Sequence, residues 1–313
     1  MSEIPPTMPG PCSCRVLFGG DSAGLDFSAG FPSLRVALPI LAGADSEQLL
    51  ADSATPGVHR GWSLFRSGMW LAGFAVAAPE ADLETAAGGL YRGLFEAAAG
   101  MHLCRVWAYV PQINALTGGM ENYRLFCRGR SLAFEERFGA AFQPLLPASS
   151  AVGSAAGPLA VGFLAGGAVP RHFENPRQVP AWKYPAQYGP RPPSFSRATS
   201  METSDGRKIF VSGTAAIRGH ASLAEGLGGQ LSCTLENLFL VGESAGAGQD
   251  LGGSEGWRRA FKVYLRRPAD LAVAKARLDG CLLSAEDTVS YLRADICRAD
   301  LLVEIEATLS LAP

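Results

Sequence analysis

The sequence has few charged residues and no excess of either sign. Lysine and arginine number 27, aspartate and glutamate number 29, and 18% of the 313 residues are charged. A protein that binds nucleic acid or an anionic membrane through its overall field carries a marked basic excess. The composition therefore disfavours both partners, and 48% hydrophobic residues are typical of a compact globular chain.

Long apolar runs are also missing. The first residues contain an acid and several prolines, where a secretory signal would have basic residues and an apolar core. No run of about 20 strongly apolar residues follows that would cross a membrane. We therefore expect a cytoplasmic protein with a disordered leader over residues 1–14.

Cysteine and histidine are scarce and scattered. The seven cysteines are an odd number, and the histidines at positions 59, 102, 172 and 220 stand alone. Neither residue type has the spacing of a metal site, and no glycine-rich phosphate loop or dinucleotide fingerprint occurs. We interpret the cysteines as reduced thiols and predict neither a metal nor a cofactor.

The apolar spacing predicts two halves with a similar order of elements. The order helix, strand, helix occurs at residues 81–99, 103–110 and 120–138, and again at residues 231–241, 260–266 and 269–278. Additional strands are expected before each set. This indicates an α+β fold of two mixed sheets, each with two helices on one face, whose opposite faces meet or line a cleft.

The expected boundaries place the first half at residues 15–147, a connecting segment at 148–200 and the second half at 201–313. Residues 148–167 carry no charge and predict either a buried strand pair or a glycine-rich linker. Residues 173–197 contain six prolines, which indicate a long rigid loop. That loop is either a lid over a site or a packed crossover between the halves.

Two acids interrupt the apolar strand expected near the end of the chain. Alternation puts Leu302, Glu304 and Glu306 on one face of this strand and only apolar side chains on the other. Two ionised carboxylates are costly to bury, so at least one must meet solvent, a cation or a ligand, or hold a proton. The strand therefore predicts either a proton donor or the wet face of an antiparallel sheet.

Cations and aromatic residues are expected around Glu304. Lys262, Tyr264 and Arg266 share one face of a strand, and the proline-rich loop supplies further candidates: Tyr184, Tyr188, Arg191 and Arg197. Guanidinium groups bind carboxylates bidentately, so this set suits a small dianion. Salt bridges between exposed charges are the alternative.

The pentapeptide GESAG at residues 242–246 has the letters of a hydrolase nucleophile elbow. An elbow needs a strand before its serine and a helix after it. Here a helical pattern leads in and a glycine-rich loop leads out, so we do not expect Ser244 to be a nucleophile.

Four segments carry a family resemblance. They are ENPRQVPAWKYPAQYGPRPPSFSRAT from residue 174, ADICRADLLVEIEA from residue 294, SGTAAIRGH from residue 212 and ENYRLFCRGR from residue 121. Together they resemble the chorismatases, enzymes that release pyruvate from chorismate, over most of Arg15–Pro313. The stretch from Ile209 to Ala307 is in addition similar to the RidA/YjgF fold.

The resemblance implies two RidA/YjgF-like halves with the active site largely in the second. It implies that Glu304 is the catalytic acid, which protonates the methylene of the enolpyruvyl ether before the ether breaks. It also implies substrate contacts, to which the strand face adds Lys262 and Arg266; the expected set is Tyr184, Tyr188, Arg191, Gly213, Thr214, Lys262 and Arg266. The substrate is expected to be chorismate, bound by a monomer or small homo-oligomer without a cofactor.

Two residues are expected to determine the product. Cys297 resembles the members that form 3- or 4-hydroxybenzoate, whereas Ala216 is more like the members that hydrolyse chorismate to a dihydroxycyclohexadiene carboxylate. We expect a hydroxybenzoate and keep the hydrolase as an alternative. A RidA-like small-molecule binder or imine deaminase is the second alternative.

Overall fold

The computed structural model describes residues 13–29, 31–50, 54–254 and 256–312. Most of the predicted leader, residues 1–12, lies outside the described residues. Ser13 and Cys14 are buried, and the Cys14 carbonyl accepts a hydrogen bond from the Leu49 N–H at 2.8 Å. The last two residues of the predicted leader, Ser13 and Cys14, are therefore packed against the fold.

Five short strands open the described chain: β1 (Arg15–Leu17), β2 (Gly24–Asp26), β3 (Ser33–Arg35), β4 (Ile40–Gly43) and β5 (Ser46–Gln48). Four of them form a small sheet in the order β2, β3, β1, β5. Strand β4 is not part of this sheet and instead pairs with a strand of the second half.

The first half is built on a six-stranded mixed sheet. In spatial order its strands are β12 (Ala148–Ser154), β9 (His102–Pro111), β13 (Ala160–Gly166), β8 (Trp70–Val76), β7 (Trp62–Ser67) and β6 (Thr55–His59). Only β12 and β9 pair in parallel. The helices are α1 (Leu83–Ala97) and α2 (Asn122–Phe138), and a two-stranded ribbon of β10 (Leu116–Thr117) and β11 (Met120–Glu121) precedes α2.

The second half is built on a seven-stranded mixed sheet. In spatial order its strands are β14 (Arg171–Phe173), β15 (Ala198–Thr203), β16 (Gly206–Ala215), β21 (Val303–Leu311), β19 (Arg258–Leu265), β20 (Thr288–Arg293) and β4. Its helices are α3 (Leu227–Ala245) and α4 (Leu271–Asp279), and β17 (Ile217–Arg218) pairs with β18 (Ala221–Ser222). The strand that carries the two acids, β21, therefore lies in the centre of the sheet, between β16 and β19.

Local signals fix the helix ends. Asp82 caps α1 by accepting the Thr85 N–H at 3.0 Å, which satisfies one of the free donors of the first turn. Helix α3 ends at Gly246, whose φ of 78° is the left-handed conformation that glycine adopts without strain. The helix is thus longer at both ends than the predicted range of residues 231–241.

The molecule has four layers: helices, first sheet, second sheet and helices. Three clusters of buried apolar residues lie between them. One apolar cluster lies between α1, α2 and the first sheet, and a second lies between α3, α4 and the second sheet. A third joins the inner faces of the two sheets, where Trp70 and Trp107 pack with Phe210 and Tyr264. The expected α+β class, with two helices per mixed sheet and the free sheet faces in contact, is confirmed.

Residues 148–167 differ in one respect from the expected strand pair. Both strands exist and are buried, but β12 and β13 lie on opposite sides of β9 rather than beside each other. They complete the first sheet, so the expected boundary at residue 148 falls inside the first half. The hydrophobic run could not reveal this because β9, which separates the two strands, lies far upstream.

Candidate active site

Glu304 lies in the middle of the inter-sheet layer. It is on β21, between Ala215 of β16 and Tyr264 of β19, and its side chain is 3% exposed. Alternation along β21 sends the neighbouring Val303 and Ile305 into the helix-covered core. Of the two alternatives left open for this strand, the wet face is wrong, because Glu304 and Glu306 are both buried.

Burial controls the protonation of Glu304. Removal from water, and after it the negative charge of Glu306, raise the pKa of this carboxyl to about 8, although the positive charges of Arg105 and Arg197 oppose the shift. At neutral pH the group is therefore mostly protonated. A neutral carboxyl of this kind can donate a proton to a bound molecule.

Glu306 has the opposite environment. Its carboxylate forms ion pairs with Lys262 at 2.6 Å and Arg105 at 2.8 Å, and Trp107 Nε1 donates to it at 2.9 Å. Burial alone would raise its pKa, but the attraction of Lys262 and then Arg105 outweighs burial and lowers it. Two acids two residues apart thus have separated pKa values, which is the pattern of an acid paired with a fixed anion.

A bulge makes room for the Glu304 carboxyl. The register between β16 and β21 shifts between Val211 and Thr214, and Gly213 lies within the shift. A methyl carbon on Gly213 would lie 2.1 Å from Glu304 Oε1, closer than carbon and oxygen can approach. Only glycine leaves the carboxyl its present position.

Glu304 forms part of the wall of a cavity of about 230 Å³. The cavity lies between the proline-rich loop, α2 and the segment before β21. The residues that line it include Tyr123, Arg124, Tyr184, Tyr188, Arg197, Gly213, Cys297, Arg298 and Glu304. The pocket is therefore made by both halves.

The proline-rich loop supplies an aromatic wall. The rings of Tyr184 and Tyr188 lie 5.5 Å apart, and the Tyr188 hydroxyl is 3.1 Å from His220 Nδ1. The guanidinium of Arg298 stands over the Tyr188 ring at 4.0 Å and is held by the His220 carbonyl, to which it donates at 2.9 Å. The loop therefore connects two paired strands of the second sheet, β14 and β15, rather than crossing between the halves, and it forms one side of the pocket.

Three arginines line the same cavity: Arg124, Arg197 and Arg298. Arg197 is buried and donates to the Tyr184 hydroxyl at 2.7 Å. Arg124 is half-buried and lies 3.4 Å from Glu121. Three cations around one small space favour an anionic ligand with more than one negative group.

Cys297 borders Glu304 from the segment before β21. Burial raises the pKa of its thiol above the usual value, and the Glu304 charge adds to this. The thiol therefore stays protonated and neutral at physiological pH. Tyr123 of α2 lines the same cavity, and burial first, then Cys127 and Cys297, raises the pKa of its hydroxyl.

The structure places three predicted substrate residues away from the cavity wall. Lys262 is paired with Glu306 and Glu47 and lines a second cavity of about 1170 Å³. Arg266 bonds Asp295 at 2.8 Å. Arg191 is paired with Glu135 at 2.6 Å. The strand pattern had revealed Glu306, but it and the loop pattern did not reveal the other acids that hold these cations: Glu47, Asp295 and Glu135.

Two further predicted residues lie directly behind the wall. The Thr214 hydroxyl donates to the Ser212 carbonyl at 2.8 Å, and Ala216 is buried in a cluster with Cys297 and Ile217. The alanine that lines the cavity is Ala215. The fold brings six of the predicted residues together at this cavity: Tyr184, Tyr188, Arg197, Gly213, Cys297 and Glu304.

Sequence reasoning missed Arg105, Arg124 and Arg298. Arg105 interrupts the apolar strand β9 in the same way that the two acids interrupt β21, and it is 1% exposed. A single charged residue in an otherwise apolar strand could therefore have identified Arg105 as a partner of buried acids. Arg298 follows Cys297 directly, but nothing in the local spacing shows that it would stack on the loop tyrosines.

The remaining motifs carry no site. Ser244 lies inside α3, is exposed, and donates to the Leu240 carbonyl at 2.8 Å, so the hydrolase elbow is excluded as expected. Within the described residues no group of three or more His, Cys, Asp or Glu side chains could hold a metal ion. No helix in the described part of the chain is long and apolar enough to span a membrane.

A neutral buried carboxyl in the wall of a cavity lined by three arginines is an arrangement that suits acid chemistry on a small anionic molecule. Comparisons with known proteins give the family. A family model described as "Chorismatase FkbO/Hyg5-like, N-terminal" matches residues 49–165. A 3-hydroxybenzoate synthase from Streptomyces hygroscopicus is 42% identical over 214 residues, which are 64% of this chain and 62% of that protein, slightly under two thirds of its length.

Two further relatives match most of the chain. A chorismatase from Streptomyces rapamycinicus is 35% identical over 271 residues, which are 81% of this chain and 78% of that protein. A crystal structure of a chorismatase superposes with a TM-score of 0.83 at 30% identity, covering 98% of this chain and 95% of the other. The chain belongs to the chorismatase family.

Proposed function

We propose that this protein cleaves the enolpyruvyl ether of chorismate and that Glu304 supplies the proton. The observation that carries the proposal is the neutral, buried carboxyl of Glu304 in the wall of a cavity lined by three arginines. The family membership supports chorismate as the substrate. It also argues against the alternative of a RidA-like imine deaminase.

The chemistry needs a proton at one carbon atom. Glu304 delivers its proton to the methylene carbon of the enolpyruvyl group, and the adjacent carbon becomes oxocarbenium-like, stabilised by the ether oxygen. The carbon–oxygen bond to the ring then breaks, and its electron pair completes the carbonyl of the departing pyruvate. The ring, left with a positive charge, loses a proton as it becomes an aromatic hydroxybenzoate, which balances the proton given by Glu304. A carboxyl with a pKa of about 8 suits this step because it is protonated at neutral pH and still acidic enough to transfer the proton.

The two carboxylates of chorismate have partners in the wall. Arg197 and Arg298 flank the tyrosine rings, and Arg124 faces them from α2. We assign the binding of the substrate's carboxylates to this set and its ring to Tyr184 and Tyr188. Arg191, Lys262 and Arg266, which the sequence had suggested, act in our proposal only through their structural ion pairs.

The proposed ring product is a hydroxybenzoate. Conversion of chorismate into hydroxybenzoate and pyruvate consumes no net water, so a dry pocket suits it. The 3-hydroxybenzoate synthase that is 42% identical favours the 3-isomer. Cys297 stands next to Glu304 at the cavity, where a protonated, uncharged thiol keeps the site dry.

One observation favours the hydrolase alternative. Alanine at position 216 is the residue type expected in hydrolysing members, and it packs directly against the cluster that holds Cys297. A methyl-sized difference is worth only a modest selectivity factor. The alternative product is the dihydroxycyclohexadiene carboxylate, formed with one water molecule.

Incubation of the purified protein with chorismate tests both proposals. We expect pyruvate release together with a ring product that co-elutes with 3-hydroxybenzoate in chromatography. Glu304→Gln should lower kcat by roughly 10²- to 10⁴-fold, the usual contribution of a general acid. Pyruvate release that is unchanged in Glu304→Gln would contradict the assigned acid, and a diol product would select the alternative.

A further inference from the structure

Ser150 of β12 lies between the sheets beside both acids of β21. It is 4% exposed, and its oxygen accepts hydrogen bonds from Arg105 Nη2 at 2.5 Å and from the Gly213 N–H at 2.9 Å. These two donors occupy both acceptor positions of the hydroxyl oxygen. The hydroxyl hydrogen is therefore left to be donated to a carboxyl group.

Two carboxyl groups, those of Glu304 and Glu306, lie close to the Ser150 hydroxyl. Glu306 neighbours Ser150 but already receives hydrogen bonds or ion pairs from Lys262, Arg105 and Trp107. No side chain among the described residues hydrogen-bonds to Glu304. A methyl carbon on Gly213 would lie 2.1 Å from Glu304 Oε1 and 3.1 Å from Ser150 Oγ, so both oxygens border the same small space.

We propose that Ser150 is a positioning residue whose hydroxyl stabilises the carboxylate that forms on Glu304 as its proton leaves. The inference rests on the function proposed above. Before transfer Glu304 is neutral and the Ser150 hydroxyl faces Glu306. The Glu304 proton then moves to the methylene carbon, and the electron pair of its O–H bond stays on the carboxylate. The Ser150 hydroxyl turns to this new anion and keeps its own proton.

This hydrogen bond forms with a charge that exists only after transfer has begun. Interactions stronger in the transition state than in the ground state are the ones that raise kcat. Arg105 strengthens the effect, because donation into the serine oxygen makes its O–H a better donor. The network of Ser150 and Arg105 thus acts through Glu304 and has no contact with substrate.

Several charged or titratable groups face Glu304 and share control of its proton. They come from β21, β9, the proline-rich loop, the segment before β21, and β11 with α2: Glu306, Arg105, Tyr184, Tyr188, Arg197, Cys297, Arg298, Glu121, Tyr123 and Arg124. None of these residues is substituted in a serine variant, and among them Arg105 is the one that donates to Ser150. A shift in the pH dependence of such a variant therefore reports on Ser150 together with its hydrogen bond from Arg105.

Ser150→Ala tests the inference. We expect kcat to fall roughly 10- to 100-fold, as for loss of a hydrogen bond to a charged group, with KM within about twofold of wild type. The upper limb of kcat/KM against pH should move to higher pH, because loss of a donor to the anion favours the neutral carboxyl. Ser150→Thr keeps the hydroxyl and should recover most of kcat.

Ser149→Ala is the matched control. Ser149 is on the same strand and equally buried, but its hydroxyl is on the opposite face, toward Tyr91. We expect wild-type kcat and an unmoved pH limb. A serine needed only for the packing of β12 would instead give both alanine variants a lower thermal midpoint and leave the pH limb in place, which would overturn the proposal.

The Glu304→Gln background separates the two claims. If Ser150 acts through the Glu304 charge, Ser150→Ala has no further effect on pyruvate release once that charge cannot form. An unchanged rate in Glu304→Gln alone would remove the proposed function itself. A reduced rate in Glu304→Gln, combined with equal losses from Ser150→Ala in both backgrounds, would leave the function standing and remove only the role of Ser150.

Discussion

The position of one carboxyl oxygen decides what this site can do, and Gly213 controls that position. In Gly213→Ala the new methyl carbon would displace Glu304 Oε1, from which it would otherwise lie 2.1 Å away. Because a shift of about 1 Å in a catalytic group can cost on the order of 100-fold, we expect kcat for pyruvate release to fall by about that factor.

Gly162→Ala is the control for that substitution. Gly162 is also buried in a strand, β13, but its methyl carbon would meet its nearest atom, the Gly73 carbonyl oxygen, at an ordinary 3.8 Å. We expect nearly wild-type kcat for this variant. Equal losses in the two variants would show that the Gly213 effect comes from general disturbance of the sheets.

At this scale the sequence predicted the acid but not its partners. Strand alternation put Glu304 and Glu306 on one face, but it left open whether that face holds a proton donor or meets water. Strand alternation also placed Lys262 correctly, near the acid strand. One of the two acids paired with Lys262 is Glu47, however, which lies more than two hundred positions away in the sequence. Long-range pairing of this kind leaves no periodic signal in one chain.

Among the elements, the contact of α1 with α2 depends on a small residue. A methyl carbon on Gly129 of α2 would lie 2.2 Å from the carbonyl oxygen of Glu84 in α1, and a backbone atom cannot move aside cheaply. Overpacking of this kind typically costs about 1–3 kcal/mol. We expect Gly129→Ala to lower the free energy of unfolding by that amount in a urea titration.

The exposed Gly89 of α1 provides the comparison. Its methyl carbon would meet nothing within 4 Å, and alanine is a better helix former than glycine, so Gly89→Ala should stabilise the protein by about 0.5–1 kcal/mol. A destabilising Gly89→Ala, or a neutral Gly129→Ala, would contradict the close contact of the two helices.

Across the whole molecule, β4 joins the two halves. It precedes the first sheet in the chain but pairs with β20 at the edge of the second. Gly43 ends this strand with a φ of 81°, and a methyl carbon there would lie 2.0 Å from the Val289 carbonyl oxygen. Gly43→Ala should therefore loosen β4 and lower the thermal midpoint of the protein.

Gly43→Ala has two costs, the left-handed backbone conformation and the close contact with Val289, and a substitution at Gly61 measures the first of them alone. It has a similar φ of 84° in the turn between β6 and β7, but open space around it. Gly61→Ala carries only the cost of the left-handed conformation, about 1–2 kcal/mol. Calorimetry should show a clearly larger loss for Gly43→Ala, and equal losses would mean that β4 contributes nothing across the halves.

The global architecture was predictable where the patterns are local and repeated. Both pairs of helices, the strands β9, β16 and β19, and the meeting of two inner sheet faces follow from periodicity and from the repeated order of elements. The exchange of β4 between sheets and the separation of β12 from β13 by β9 do not. They depend on which strand edges meet, which no segment encodes by itself.

The dependence of kcat/KM on pH tests the proton held by Glu304 most directly, because it reports the ionisation of the free enzyme. A raised pKa means that the active, protonated form is complete at lower pH and is lost as pH rises through about 8. We expect kcat/KM for pyruvate release from chorismate to be level through neutral pH and to fall tenfold per pH unit above about pH 8, and this limb to be missing in Glu304→Gln. A limb centred near the ordinary glutamate value of about 4.5, or activity that stays level beyond pH 9, would contradict a proton stored on Glu304.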